Sequence, residues 1–214
     1  MNGLNDNTSF FNVYYGDTRP KAYIRLAYVT TGGVFETATN KTDQSIRLFR
    51  NYDTLSFEKP FLQNRLALEP GGIYTHFVYG SPAQAKQKTV KEKLPARSVS
   101  DSVVNLRFVN FFTERSIDVV QLEPAAGTIV SNLAYEQLTD FIKVPAATSV
   151  NNFVFEIRDH ATGTVLTTFS EVNMLAGSSI PNVDWLFKAR SMLVTGIWTD
   201  VGNFSIAAKT IGHY

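Results

Sequence analysis

The 214-residue chain contains no cysteine. Disulfide scaffolds, thiol catalysis and cysteine-ligated zinc are thereby excluded together. An excess of one charge is also missing. Lysine plus arginine number 20 against 19 for aspartate plus glutamate, so no basic field exists to attract nucleic acid or an anionic membrane surface. No apolar run approaches the roughly 18 residues needed to span a bilayer. The opening MNGLNDNTSFF has neither a charged n-region nor an apolar h-region. The chain reads as soluble, or equally as a mature form whose export signal has been removed, with the polar NGLNDN as its tether.

Catalytic and cofactor motifs are scarce too. The histidines, His76, His160 and His213, lack metal-ligand spacing, and no H-E-x-x-H occurs. There is no G-x-S-x-G nucleophile elbow, and the adjacent Asp159-His160 pair does not suit base and orienter. Glu114, Asp118, Glu123, Glu136 and Asp140 are spaced as solvated faces and turns rather than as a facing carboxylate pair. No calcium loop or phosphate-binding glycine loop is present, Gly32-Gly33 and Gly71-Gly72 included. The expectation is a non-enzyme with no catalytic residue, metal or cofactor.

What the chain does have is alternation. SIRLF (45–49), VNLRFVNFF (104–112), DFIKV (140–144), NFVFEIR (152–158), TVLTTF (164–169) and NFSIAAKTI (203–211) read as half-buried strands. Turn residues punctuate them at Tyr15-Gly16-Asp17, Gly32-Gly33, Glu69 to Gly72, Gly80-Ser81-Pro82, Ala161-Thr162-Gly163 and Ala176-Gly177-Ser178. Residues 81–94 hold good helix formers, but their end alternates as well. Residues 133–141 are too short for an independent helix. Apolar residues at 44%, with sixteen phenylalanines, suit a strand-rich core. The fold class expected is all-β.

The chain also repeats itself. Leu26-Ala27-Tyr28 returns as Leu133-Ala134-Tyr135, and without a gap Val34 to Thr37 then meets Phe141 to Val144. Phe11-Asn12-Val13 falls on Ile117-Asp118-Val119, Ser45–Phe49 near Asn152–Ile157, and Thr54–Phe57 near Thr164–Thr167. Gly71 meets Gly177, and GIYTHFVYG (72–80) meets RSMLVTGIW (190–198). The preserved order indicates duplication. It divides the chain into a module at 1–96, a linker at 97–102 and a module at 103–214. The counterpart of VNLRFVNFF in the first module would precede residue 1 or be squeezed into TSFF, so that module is expected to lack that strand or to borrow one from elsewhere.

Several motifs carry a family resemblance. Arg107-Phe108-Val109-Asn110, Asp118-Val119, then Leu133, Tyr135, Thr139 and Phe141, then Val144-Pro145-Ala146, follow one another in the second half. Leu68, Pro70, Gly71, Tyr74 and Thr75 close the first. This series resembles the tandem β-sandwich family known as domain of unknown function 4397. Ala147 stands where that family has glycine, and SSIPNVDW replaces its closing G-x-x-Y-T. The resemblance implies two tandem immunoglobulin-like antiparallel sandwiches in an exported Gram-negative protein, often lipid-anchored at the outer membrane. It implies no catalytic residues, and a role in adhesion or spacing at the cell surface or in the periplasm.

Binding candidates remain. Trp185, Trp198, Tyr14, Tyr15 and Tyr52 can serve as core residues or as a sugar-stacking platform, with Trp185, Tyr14 and Tyr15 the discriminating set. Lys86, Lys88, Lys91 and Lys93 fit protection of an exposed sheet edge better than binding of an anionic polymer. Sequons at Asn7, Asn40 and Asn203 carry meaning only where the source glycosylates asparagine, whereas the D-[ST]-aliphatic triplets at Asp53 and Asp101 agree with export. The partner is expected to be a surface ligand, protein or glycan. Carbohydrate binding is the alternative function, and a hydrolase on a sandwich scaffold a third reading.

Overall fold

The structure, a computed structural model, describes residues 1–4, 11–16, 24–26, 36–50, 59–97, 100–172, 185–200 and 203–213, with backbone alone for 24–26, 197–200 and 203–205. Fifteen strands in four sheets, and no helix, occur among the described residues. The protein is all-β. The chain separates into two compact units, Met1–Lys93 and Leu94–Tyr214.

The first unit holds β1 (Asn2–Leu4), β2 (Phe11–Tyr15), β3 (Ile24–Leu26), β4 (Asp43–Arg50), β5 (Leu62–Ala67), β6 (Tyr74–Ser81) and β7 (Gln84–Lys91). One sheet has the order β1-β6-β7, the other β3-β2-β4-β5. Leu4 and Val78 from the first sheet join Phe11, Val13, Ile46, Leu48 and Leu66 from the second in one apolar cluster. The helix-like composition of 81–94 gives way to the β6–β7 hairpin. Gly80 sits there at φ 89°, and a Cβ would lie 2.6 Å from the Gln84 carbonyl oxygen, so the position requires glycine.

Of the polar segment expected as a tether, residues 2–4 form β1, while residues 5–7 lie outside the described residues. Asn2 and Leu4 are wholly buried, and β1 runs parallel to β6 with Asn2 opposite Val78. The Met1 amine donates to the His76 carbonyl at 2.8 Å, and the Val78 N–H donates to Met1 O at 2.9 Å. A polar composition did not prevent burial, because the ladder satisfies the backbone and Leu4 supplies apolar area.

The second unit holds β8 (Val103–Phe112), β9 (Ile117–Glu123), β10 (Gly127–Leu133), β11 (Ile142–Pro145), β12 (Phe153–Asp159), β13 (Val165–Glu171), β14 (Ala189–Asp200) and β15 (Asn203–Gly212). Its sheets run β11-β8-β14-β15 and β10-β9-β12-β13. Val104, Leu106, Phe108, Met192 and Val194 from one sheet meet Ile117, Val119, Phe153, Phe155, Ile157 and Phe169 from the other in a single core. Each such ring or branched chain contributes about 1.5–3 kcal/mol by leaving water. NFVFEIR shows the expected half-burial, with Phe153, Phe155 and Ile157 inward and alternate residues partly exposed. VNLRFVNFF departs from it: every residue of β8 after Val103 is buried. Both alternate sets of β8 side chains are therefore covered, where alternation alone suggested one wet face.

By pairing position, β1, β6 and β7 stand in the first unit as β8, β14 and β15 stand in the second. In both, the first of these strands is parallel to the second, which is antiparallel to the third. Likewise β3-β2-β4-β5 has the order of β10-β9-β12-β13. The three-residue β1 thus occupies the place of β8 that the first module was expected to lack. β5 occupies the place of β13, while Thr54–Phe57, aligned there by sequence, lies outside the described residues. β11 has no counterpart among the described residues of the first unit.

Candidate functional site

The motif residues of the second unit act as fasteners. Asn110 is wholly buried, and its amide nitrogen donates to the carbonyls of Arg115 (2.7 Å) and Leu133 (2.9 Å). Its amide oxygen accepts from the Phe112 N–H at 2.9 Å. Thr139 accepts at Oγ1 from the Phe108 N–H (3.0 Å) and donates its own N–H to the Phe108 carbonyl (2.9 Å). The loop after β10 is thereby sewn onto β8. In the first unit Gly71 takes φ 74°, and the Tyr74 hydroxyl accepts from the Glu69 N–H at 2.9 Å.

The histidines do not converge. His76 Nδ1 is 2.8 Å from Thr89 Oγ1, and its buried Nε2 has no hydrogen-bond partner. Burial pushes its pKa down to about 4; the Met1 ammonium adds to this and Gln87 opposes it. His160 Nδ1 binds Asp118 Oδ1 at 2.8 Å, not its neighbour Asp159. Asp159 instead accepts at Oδ1 from Thr162 N and Oγ1, both at 2.9 Å, with Arg115 3.7 Å from its other oxygen. His213 Nε2 lies 2.7 Å from Ser191 Oγ, itself 3.1 Å from Arg107 Nε, but Ser191 is fully buried and out of a substrate's reach. Among the described residues no group of three metal-ligating side chains forms.

The acids serve locally as well. Burial pushes the Asp118 carboxyl up, but hydrogen bonds from the Asn132 N–H, His160 and Ser131 outweigh it and hold the pKa below the ordinary value. Glu123 accepts from Asn152 at 2.7 Å. Glu114 and Glu136 occupy left-handed turn positions at φ 57° and 65°, and Asp140 is exposed.

The aromatic platform expected of Trp185, Tyr14 and Tyr15 is not formed. Trp185 is 2% exposed, stacked 4.4 Å from Phe153 with the Arg190 guanidinium 4.9 Å from its ring centre. Tyr14 is 3% exposed, edge-on to Phe49 at 5.1 Å. Tyr15 is half-buried, and burial pushes its hydroxyl up to about 12. Large apolar area wins over exposure at these positions. Tyr52 and the Trp198 side chain lie outside the described residues. Lys86, Lys88 and Lys91 lie on β7, the terminal strand of its sheet, as edge protection requires; Lys91 pairs with Glu69, and Lys93 is exposed just beyond. Asn40 is exposed, whereas Asn7 and the Asp53 triplet lie outside the described residues, as does the Asn203 side chain.

A cavity the sequence did not disclose lies at the start of the second unit. Its volume is about 310 Å³, and Pro95, Ala96, Asp101, Val103, Asn105, Lys143 and Phe187 line it. Lys143 Nζ spans it to Asp101 Oδ2 at 2.9 Å, and that bond holds the Asp101 carboxyl below its ordinary pKa. Asn105 is 7% exposed. Phe187 carries a backbone cost. It holds φ 59°, a left-handed conformation that bulky residues avoid, while its N–H donates to the Val103 carbonyl at 2.9 Å. The strained residue thus lies on one concave surface. The one sequence signal was the D-S-V triplet at Asp101. Asn105, Lys143 and Phe187 come from separate segments that only the sheet brings together.

No family model matches this chain, and no curated protein matches it either.

Proposed function

We propose that the chain is a non-enzymatic, exported surface or periplasmic protein: two immunoglobulin-like β-sandwich modules descended from one by duplication, serving as a binding and spacer element. The observation that supports it best is the repeated pairing scheme, including a parallel pair at the same place in each unit. Antiparallel pairs dominate sandwiches, so a parallel pair recurring in the same position favours common descent over coincidence. The shared Leu-Ala-Tyr segments and the resemblance to the tandem sandwich family point the same way, and the resemblance carries export and the lipid anchor. The motif side chains Asn110, Thr139 and Tyr74 are committed to joining loops, which suits a rigid scaffold whose affinity resides elsewhere.

Fractionation of cells expressing the gene with its native upstream region tests the location. The protein is expected in the outer-membrane or periplasmic fraction and open to added protease when on the surface. Recovery in the cytosol overturns the reading.

A further inference from the structure

We propose that β13 is the surface through which two copies of this chain associate, pairing antiparallel, β13 to β13, across a two-fold axis. β13 is the terminal strand of β10-β9-β12-β13, and among the described residues its only ladder is with β12. Ile206 and Ala208 of β15 pack on the same core as its Leu166 and Phe169, but no backbone bond among the described residues joins those two strands. A terminal strand presents a row of unpaired N–H and C=O groups that template a further strand.

Most of the other terminal strands are defended against such pairing. β7 carries Lys86, Lys88 and Lys91, β11 carries Lys143 and Pro145, β15 carries Lys209, and β3 and β5 an arginine each. β1 has three residues, and the β10 ladder breaks register twice. β13, VLTTFSE, has no lysine, arginine or proline. Its one irregularity lies at the Val165 end, and Thr167 to Glu171 pair in unbroken register with Ile157 to Phe153. Val165 (42% exposed) and Val172 (50%), two of the four exposed large apolar side chains among the described residues, sit at its two ends.

The strand's charge pattern selects a second copy as the occupant. With Phe169 on the two-fold axis, Thr168 of one copy faces Ser170 of the other, and Thr167 faces Glu171. Threonine–serine and aromatic–aromatic pairs are favourable across strands. Glu171, the only charge on β13, meets a hydroxyl instead of its own copy. The two Glu171 carboxylates then stand four residues apart along the strands, about 14 Å. That exceeds the screening length of about 8 Å at physiological salt, so self-pairing brings no like charges together. Val172 of each copy also reaches the Val165 end of the other, which covers apolar surface left open in the single chain.

Sedimentation velocity on the purified full chain, in a dilution series up to about 1 mM, tests the association. Thr168 and Ser170 are exposed, so charges there leave the core intact. The double variants Thr168→Lys/Ser170→Lys and Thr168→Glu/Ser170→Glu each set like charges opposite one another in this register. The wild type is expected to dimerise, each variant alone to do so at least about tenfold more weakly, and an equimolar mixture of the two to recover. A wild-type chain that stays monomeric overturns the proposal. So does a lysine variant that dimerises like the wild type, a mixture that fails to recover, or a monomer that binds extended peptides of unrelated sequence. Amide hydrogen exchange on the wild type needs no variant: protection at Thr167 to Glu171 should rise with protein concentration, and constant protection overturns the pairing. The result does not depend on where the protein resides, so it and the fractionation outcome fail separately.

Discussion

Phe187 donates its backbone N–H to the carbonyl of Val103 at 2.9 Å while holding a φ of 59°. The bond fixes a conformation that L side chains disfavour by roughly 1–2 kcal/mol. Glycine pays no such cost. Phe187→Gly is therefore expected to be more stable than Phe187→Ala by about 1 kcal/mol, the reverse of the usual order at a right-handed position. Urea titrations of the two variants measure it. Greater stability of the alanine variant would refute the strain argument.

Asn110 carries three hydrogen bonds from a fully buried position. Asn110→Ala strands the Phe112 N–H and two carbonyls, and the expected loss is about 3 kcal/mol. Amide hydrogen exchange should rise at Phe112 and in the loop after β10 first, since those groups lose their partners directly.

Trp185 fills the second core against Phe153 and Phe169. Trp185→Ala is expected to cost about 3–5 kcal/mol by leaving a cavity. Thermal melting reads that loss.

His76 makes acid sensitivity a property of the first unit. Its folded pKa of about 4 lies below the ordinary 6.5 because burial disfavours the charged ring. The unfolded chain therefore binds more protons between pH 4 and 6.5, so stability rises with pH across that window and is lost as the solution is acidified. The size of the effect is about 2–3 kcal/mol between pH 7 and 4. Denaturant titrations of the wild type and His76→Gln at both pH values should show the slope in the first and its reduction in the second. Equal slopes would show that His76 titrates normally.

Much of the strand content was legible. Alternation in SIRLF, NFVFEIR and TVLTTF placed strands that the structure contains, because side chains on a pleated strand face opposite sides whatever lies beyond. Turn chemistry was equally local: Gly71 and Gly163 adopt positive φ where the turns were expected. The candidate site was not legible. Asn105 looked like one polar residue of an alternating strand, and nothing near Phe187 in sequence announces a left-handed backbone. Trp185 resisted reading for the same reason, since its stacking partners Phe153 and Phe169 come from β12 and β13.

The sequence by itself determined an all-β chain with no cysteine chemistry, no net charge field and two passes through similar motifs. These follow from composition and from patterns a few residues long. Only the tertiary structure decided that NGL is a buried strand beside β6, that β8 is covered on both faces, and that Trp185 belongs to the core. It alone brought Asp101, Asn105, Lys143 and Phe187 to one cavity. Burial and proximity depend on which distant strand pairs with which, and pairing is a property of the whole chain rather than of any window within it.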